Sequence, residues 1–303
     1  MKPLLVWLLL CVVWGTTWIF IKLGLADLPP VSFAAVRFSV ACLILLLILR
    51  FQKIEFPKGK MIWKLIVITG ILQFFFNYGL LFWGEQHITS GLAAVLQATI
   101  PAFGLVLARI YVGEQITGLK IFSILLGLSG VAVIFREQLF LNGQMAFLGS
   151  LAVVVGAFGA AYASVLTKAK GTETNPASLV FGQMLVGQIP LWLVGFLTEG
   201  NPLNFHWTWQ AVICVLYLAI IGSIVAFWLY YWLLTKIDVM RAMMISFVTP
   251  LVAVFVGSFF GEKLEIQTLL GGILVLLSVF LIVIRPILRK SSRFQVPSFK
   301  SKD

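Results

Sequence analysis

The sequence predicts an all-α integral membrane protein of ten transmembrane helices, built as two five-helix copies in an inverted repeat. Three observations carry this: an apolar composition, ten apolar windows of spanning length, and a self-similarity at separations of 146 to 149 residues.

Hydrophobic residues make up 61% of the 303 positions and charged residues 11%, with a mean hydropathy of +1.05. A soluble domain carries about 45–50% apolar and about 25% charged residues, so no soluble fold could bury this much apolar surface. A hydrocarbon core of roughly 30 Å needs about 20 apolar residues per helix. Windows of that kind lie at 3–25, 31–51, 61–83, 90–112, 118–136, 146–168, 176–198, 209–235, 239–260 and 265–286. Apart from the basic stretch Arg50 to Lys64 and the polar segment Glu199 to Trp207, the connections are a few residues long, which leaves no room for a soluble domain. The first run is longer than a secretory signal and lacks a small-x-small cleavage site, so it reads as a retained helix. Cys11, Cys42 and Cys214 fall inside apolar runs without CxxC spacing. Neither a disulfide framework nor a metal site is expected, and no cofactor.

The net charge of +11 would suggest a nucleic-acid partner in a soluble protein. Here the basic residues sit between apolar runs and in the tail, the pattern of the positive-inside bias. Counted alternately along the chain, 17 Lys and Arg fall on one side and three (Lys22, Arg136, Lys263) on the other. This places both termini in the cytoplasm of an inner (plasma) membrane protein, with the 84–89 and 199–208 loops external. Arg37 and Arg109 remain, each about two turns inside an apolar run, where a charge at mid-bilayer costs about 2.5–3.5 kcal/mol. Both are expected to snorkel to a surface, with a buried role the alternative for Arg37.

Internal comparison sets the architecture. Lys22 and Lys168, and Pro30 and Pro176, stand 146 residues apart; Gly113-Glu114 and Gly261-Glu262 stand 148 apart, and Pro101 and Pro250, like Arg136 and Arg285, 149 apart. The copies are 3–136 and 146–286, followed by a basic cytoplasmic tail over 287–303. Five helices is an odd number, so the second copy enters from the opposite face. The result is an inverted repeat with a pseudo-twofold axis in the membrane plane, an architecture used by transporters with a site at the repeat interface.

Trp14-Gly15-Thr16-Thr17-Trp18 with Lys22, then Leu28-Pro29-Pro30 and Arg37-Phe38, resembles the opening of the EamA family of the drug/metabolite transporter superfamily. Ser90-Gly91-Leu92-Ala93-Ala94-Val95-Leu96 with Pro101 and Gly113-Glu114 resembles that family's fourth-helix signature. The second copy keeps Thr249-Pro250 and Gly261-Glu262, while Ala160 stands opposite Trp14 and Gln183 opposite Arg37. The resemblance implies a ten-helix fold and export of amino acids, their metabolites or toxic compounds.

Pro101, Glu114, Pro250 and Glu262 read as structural: Gly supplies the turn between helices, and Glu faces the positive N-terminal end of the next one. Gly156, Ala160 and Ser164, at four-residue spacing, read as a packing surface. Polar groups inside spans are costly unless they face protein or a wet cavity. Thr69, Gln73 and Asn77 share one face of the third helix beside Tyr78. Gln97 lies four residues before Pro101, which frees a backbone carbonyl. The eighth helix offers Ser223, Phe227, Tyr230 and Tyr231, and the ninth Ser246 and Thr249. With helices 1 and 6 completing the wall, the repeat symmetry gathers Trp14, Thr17, Asn77, Tyr78, Gln97, Tyr162, Tyr230 and Ser246 around a central substrate site. With no fixed charge in that set, the site reads as permissive. His87 reads as a loop residue.

The expected function is secondary export of amino acids or related small metabolites by alternating access, with a small-molecule substrate and membrane lipid as partners and no nucleic acid. The alternative is a membrane sensor or assembly subunit that does not transport. A membrane-embedded transferase would need acids, bases or metal ligands gathered at one interface, whereas the eleven acidic residues are scattered along the chain. No Asp or Glu falls at mid-span, so the expectation is facilitated export, or proton coupling through a helix-end group such as Glu85. The charge count itself is testable: in a variant lacking the three native thiols, Asn204→Cys should react with an impermeant maleimide only from outside the cell. Labelling from the cytoplasmic side alone would refute the inverted arrangement.

Overall fold

The computed structural model describes residues 2–136, 139, 143–258 and 266–284; Glu262 and the basic tail lie outside them. The described residues form helices and connections, with no strand among them. The first copy comprises α1 (Pro3–Gly24), α2 (Pro30–Phe51), α3 (Lys60–Glu85), α4 (two pieces, Ser90–Gln97 and Ile100–Tyr111) and α5 (Gly118–Ile134). The second comprises α6 (Gln144–Lys170), α7 (Pro176–Thr198), α8 (Trp209–Leu234), α9 (Val239–Met243 and Ile245–Ser258) and α10 (Ile266–Val279, extended by a wide turn over Phe280–Ile284). Nine of these are long and apolar enough to cross a bilayer, and the tenth, α5, is slightly shorter.

Local chemistry sets the helix starts. Pro3, Pro30 and Pro176 open α1, α2 and α7, where a missing N–H costs nothing because no partner precedes it. Side chains of Thr89, Thr117, Asn175 and Thr208 accept backbone N–H groups in the first turns of α4, α5, α7 and α8, satisfying donors that the helix leaves unpaired. The three thiols are buried and free.

Packing follows the exchange of one copy for the other. Helix α2 packs on α7 and α5 on α10, while α1 lies against α8 and α9 as α6 lies against α3 and α4. The regular helix also breaks at matching places. Helix α3 widens into a π-helical turn at Ile71–Asn77, and α8 does so at Ile220–Val225. Helix α4 is interrupted between Gln97 and Ile100, before Pro101, and α9 between Met243 and Ile245, before Pro250.

The predicted role of Glu114 needs correction. It does not serve the following helix, whose start is capped by Thr117. Its Oε1 accepts the Val239 N–H at 2.7 Å, at the start of α9 in the other copy, and its Oε2 lies 3.7 Å from Lys120 Nζ. The pseudo-symmetric fold brings the α9 start closer than the α5 start, a neighbour that sequence adjacency does not reveal. Glu199 makes the same kind of bridge in the other direction, accepting Val31 N–H at 2.9 Å and Ser32 N–H at 2.7 Å at the start of α2.

Where α5 meets α10, the backbones come into direct contact. A Cβ on Gly271 would sit 2.4 Å from the Gly130 carbonyl, and one on Gly130 would sit 2.7 Å from the Gly271 carbonyl. Gly271→Val should therefore lower the stability of the detergent-solubilised protein by about 1–3 kcal/mol, read as a drop in melting temperature. Gly118→Ala, with open space around it, should leave it unchanged.

Candidate functional site

Residues at or near the breaks in α3, α4 and α9, with Phe227 and Tyr230 just beyond the break in α8, surround one cavity of about 150 Å³, completed by α1, α2 and α6. A bound water needs about 10–15 Å³ on this measure, so the space suits on the order of ten non-hydrogen atoms. The lining runs from Ile21, Leu81 and Ala94, close to the ends of α1 and α3 and the start of α4, down to Ala242 and Met243 at the start of α9. Beyond that point hydrogen bonds join the helix ends. Lys168 Nζ donates to the carbonyls of Leu234, at the end of α8, and of Ile237, in the connection to α9, Glu114 holds Val239, and Trp7 Nε1 donates to the Arg241 carbonyl at 3.0 Å.

Seven of the eight residues selected from the sequence line this cavity: Trp14, Thr17, Asn77, Tyr78, Gln97, Tyr230 and Ser246. Tyr162 does not. Its hydroxyl pairs with that of Tyr111 at 2.8 Å, on the outer side of α6. Ala160 and Ser164, read as packing residues, also face the cavity, and Gly156 packs against the Asn77 backbone. The difference from the repeat mate matters here. Trp14 fills its side, whereas Ala160 leaves volume.

The side chains are held in specific ways. Gln97 Nε2 donates to Asn77 Oδ1 at 3.1 Å, so the two amides form a pair across α3 and α4. Trp14 meets Phe227 and Tyr230 edge-on, with centroids 5.5 and 5.2 Å away, the arrangement favoured by the ring quadrupoles. Ser246 Oγ is buried without a hydrogen-bond partner. The four-residue stripe of α3 is divided by its π-helical turn. Gln73 and Asn77 line the cavity, while Thr69 turns to a separate network in which Gln183 Nε2 donates to Thr69 Oγ1 at 2.6 Å and Tyr231 donates to Gln183 Oε1 at 2.6 Å.

Arg37 overturns two expectations. It does not snorkel: it is 1% exposed and lines the cavity. Nor, therefore, is the site free of fixed charge. The π-helical turn of α8 is the reason. There the Gly222 carbonyl accepts from Arg37 Nη2 at 3.1 Å and also faces Trp14 Nε1 at 3.4 Å. Ser223 Oγ accepts from Arg37 Nε at 2.8 Å and donates back to Leu218 O, five residues earlier. The guanidinium carbon stands 5.0 Å from the Tyr78 ring and 5.2 Å from that of Phe38, contacts worth about 0.5–2 kcal/mol each. These partners are neutral, and Nη1 has none. A buried charge without a counter-charge costs several kcal/mol, a burden that stability alone would not retain. The legible signal was a lone Arg in mid-span; its direction was not legible.

Glu85, the helix-end group considered for coupling, stands at the end of α3 with a buried and unpartnered Oε1, outside the cavity lining. His87 packs edge-on against Trp83 at 4.8 Å, and Trp63 is 39% exposed.

Comparison with known proteins places this geometry. The model of the EamA-like transporter family matches the chain twice, over residues 1–136 and 147–284. The chain is 28% identical to the uncharacterized transporter YoaV of Bacillus subtilis over 89% of its own length and 92% of that protein's. It is 29% identical to the uncharacterized inner membrane transporter YedA of Escherichia coli (88% and 86% of the two chains). To a probable amino-acid metabolite efflux pump of Escherichia coli the identity is 26% (90% and 92%). One solved crystal structure superposes with a TM-score of 0.80 at 15% identity, covering 97% of this chain and 99% of its own, which shows the shared fold.

The contrast between the two polar clusters can be measured. Tyr231→Phe leaves the buried Gln183 Oε1 without its donor and should cost about 1–3 kcal/mol. Ser246→Ala removes a hydroxyl that bonds to nothing and should stay within about 0.5 kcal/mol of the parent, both read from thermal melting in detergent.

Proposed function

We propose that this chain, which belongs to the EamA-like transporter family, is a secondary transporter that exports amino acids or related small metabolites by alternating access around the central cavity. It is a multi-pass membrane protein, and its relatives are transporters. The observation that carries the finer reading is the position of the cavity. It lies between the two copies, beside the breaks of α3, α4 and α9 and next to that of α8, and irregular backbone is tolerated in a membrane only if it faces protein or water.

In this reading the copies 3–136 and 146–286 rock against each other about the pseudo-twofold axis, with both termini in the cytoplasm. The lining reaches toward the external ends of α1, α3 and α4, so the described conformation is the one that releases substrate outside. Opening the other way requires parting the ties of Glu114, Lys168 and Trp7 at the corner between α8 and α9. The aromatic wall of Trp14, Phe227 and Tyr230 covers the apolar part of a substrate, and the Asn77–Gln97 pair offers its free amide N–H and carbonyl to the polar part.

The test is export from proteoliposomes holding a panel of amino acids. Asn77→Ala and Gln97→Ala should each lower specific transport severalfold, and the double variant more, at unchanged membrane abundance, while Trp63→Ala at the membrane interface stays near the parent rate. Normal transport by the double variant would remove the cavity from the mechanism.

A further inference from the structure

Arg37 carries the only formal charge among the described residues that line the cavity. Its Nε and Nη2 are committed to a hydroxyl and a backbone carbonyl, both neutral, the Tyr78 side chain stands beside the guanidinium, and Nη1 is buried with no hydrogen-bond partner. Among the described residues no Asp or Glu lines the cavity to receive an ammonium. A cationic group entering would meet a like charge in a medium that screens it poorly, whereas an anionic group would supply the missing counter-charge and accept charge-assisted hydrogen bonds.

Resting on the proposal that this cavity is the transport site, we infer that Arg37 is its anion-binding residue and that the substrates are small monocarboxylates with an apolar or aromatic body, for which an α-ammonium group is dispensable. The carboxylate binds at the guanidinium, beside the π-helical turn of α8. The body of the molecule lies along Trp14, Phe227 and Tyr230. Arg37 Nη2 and Trp14 Nε1 reach the same Gly222 carbonyl, at 3.1 and 3.4 Å, so the anion site adjoins the aromatic wall at Trp14. Amino acids fit this site through their carboxylate, and the same molecules without the amino group fit it equally.

Four probes of one shape test this on the purified full chain: phenylalanine, 3-phenylpropionate, 3-phenylpropanamide and phenethylamine, by binding in detergent and counterflow in proteoliposomes. The parent should bind 3-phenylpropionate and phenylalanine within about threefold of each other, and both at least about tenfold more tightly than the neutral amide or the amine. In Arg37→Gln the preference of carboxylate over amide should fall to within about threefold, and Arg37→Lys should keep part of it. A merely structural arginine would change melting temperature and leave that ratio intact. If Arg37→Gln does not fold, the ranking in the parent still decides. Amine binding equal to that of 3-phenylpropionate, an undiminished ratio in Arg37→Gln, or no carboxylate binding by the parent would each overturn the inference. The Asn77→Ala, Gln97→Ala double variant separates the two readings. If it abolishes transport while Arg37→Gln keeps the ratio, only the role of Arg37 fails; if it transports normally, the cavity itself is not the site.

Discussion

Inside a bilayer no water is at hand to satisfy a backbone amide, so every departure from the regular helical ladder must be matched by a partner within the protein. This chain makes four such departures around one point: the π-helical turns of α3 and α8 and the interruptions of α4 and α9. Among the described residues these departures border the cavity, or hold the side chains that line it. Gln73 and Asn77 belong to the first departure, Gln97 to the second, and Ser246 follows the last. The π-helical turn of α8 holds Arg37 through Gly222 and Ser223. A further wide turn of α10, at Phe280–Ile284, contributes nothing to the described lining.

Symmetry of backbone and asymmetry of side chains divide the work. Exchange of the two copies preserves the helix contacts. The side chains at exchanged positions have diverged. Gln183, the mate of Arg37, is enclosed by Thr69 and Tyr231 in a neutral network with its amide satisfied. Arg37 keeps an unused donor beside open volume, and that volume exists partly because Ala160 replaces the bulk that Trp14 supplies on the other side.

The two copies are also joined at their ends by carboxylates that each reach a helix start in the opposite copy. Glu199 serves α2, and Glu114 serves α9. A carboxylate at a helix N-terminus gains from the partial positive charge there as well as from the hydrogen bond. Between α5 and α10 the copies meet differently, backbone against backbone at Gly130 and Gly271.

Much of this was legible in the sequence because it depends on local pattern. Spanning length and apolar composition define the ten helices, and the recurrence of Pro, Lys and Gly-Glu at fixed separation defines the repeat. Polar side chains in apolar runs mark seven residues that meet at one cavity, since in lipid a polar group has few places to face. Direction and register were decided only by the tertiary structure. The sequence shows Arg37 two turns from a helix end, where a surface and the interior are equally near. It turns inward because a π-helical turn in α8, far along the chain, presents a carbonyl and a hydroxyl that no local pattern announces. Tyr162 shares its helix with cavity residues yet pairs outward with Tyr111, and Thr69 leaves its own stripe for Gln183, because helical periodicity sets which residues share a face but not which neighbour that face meets.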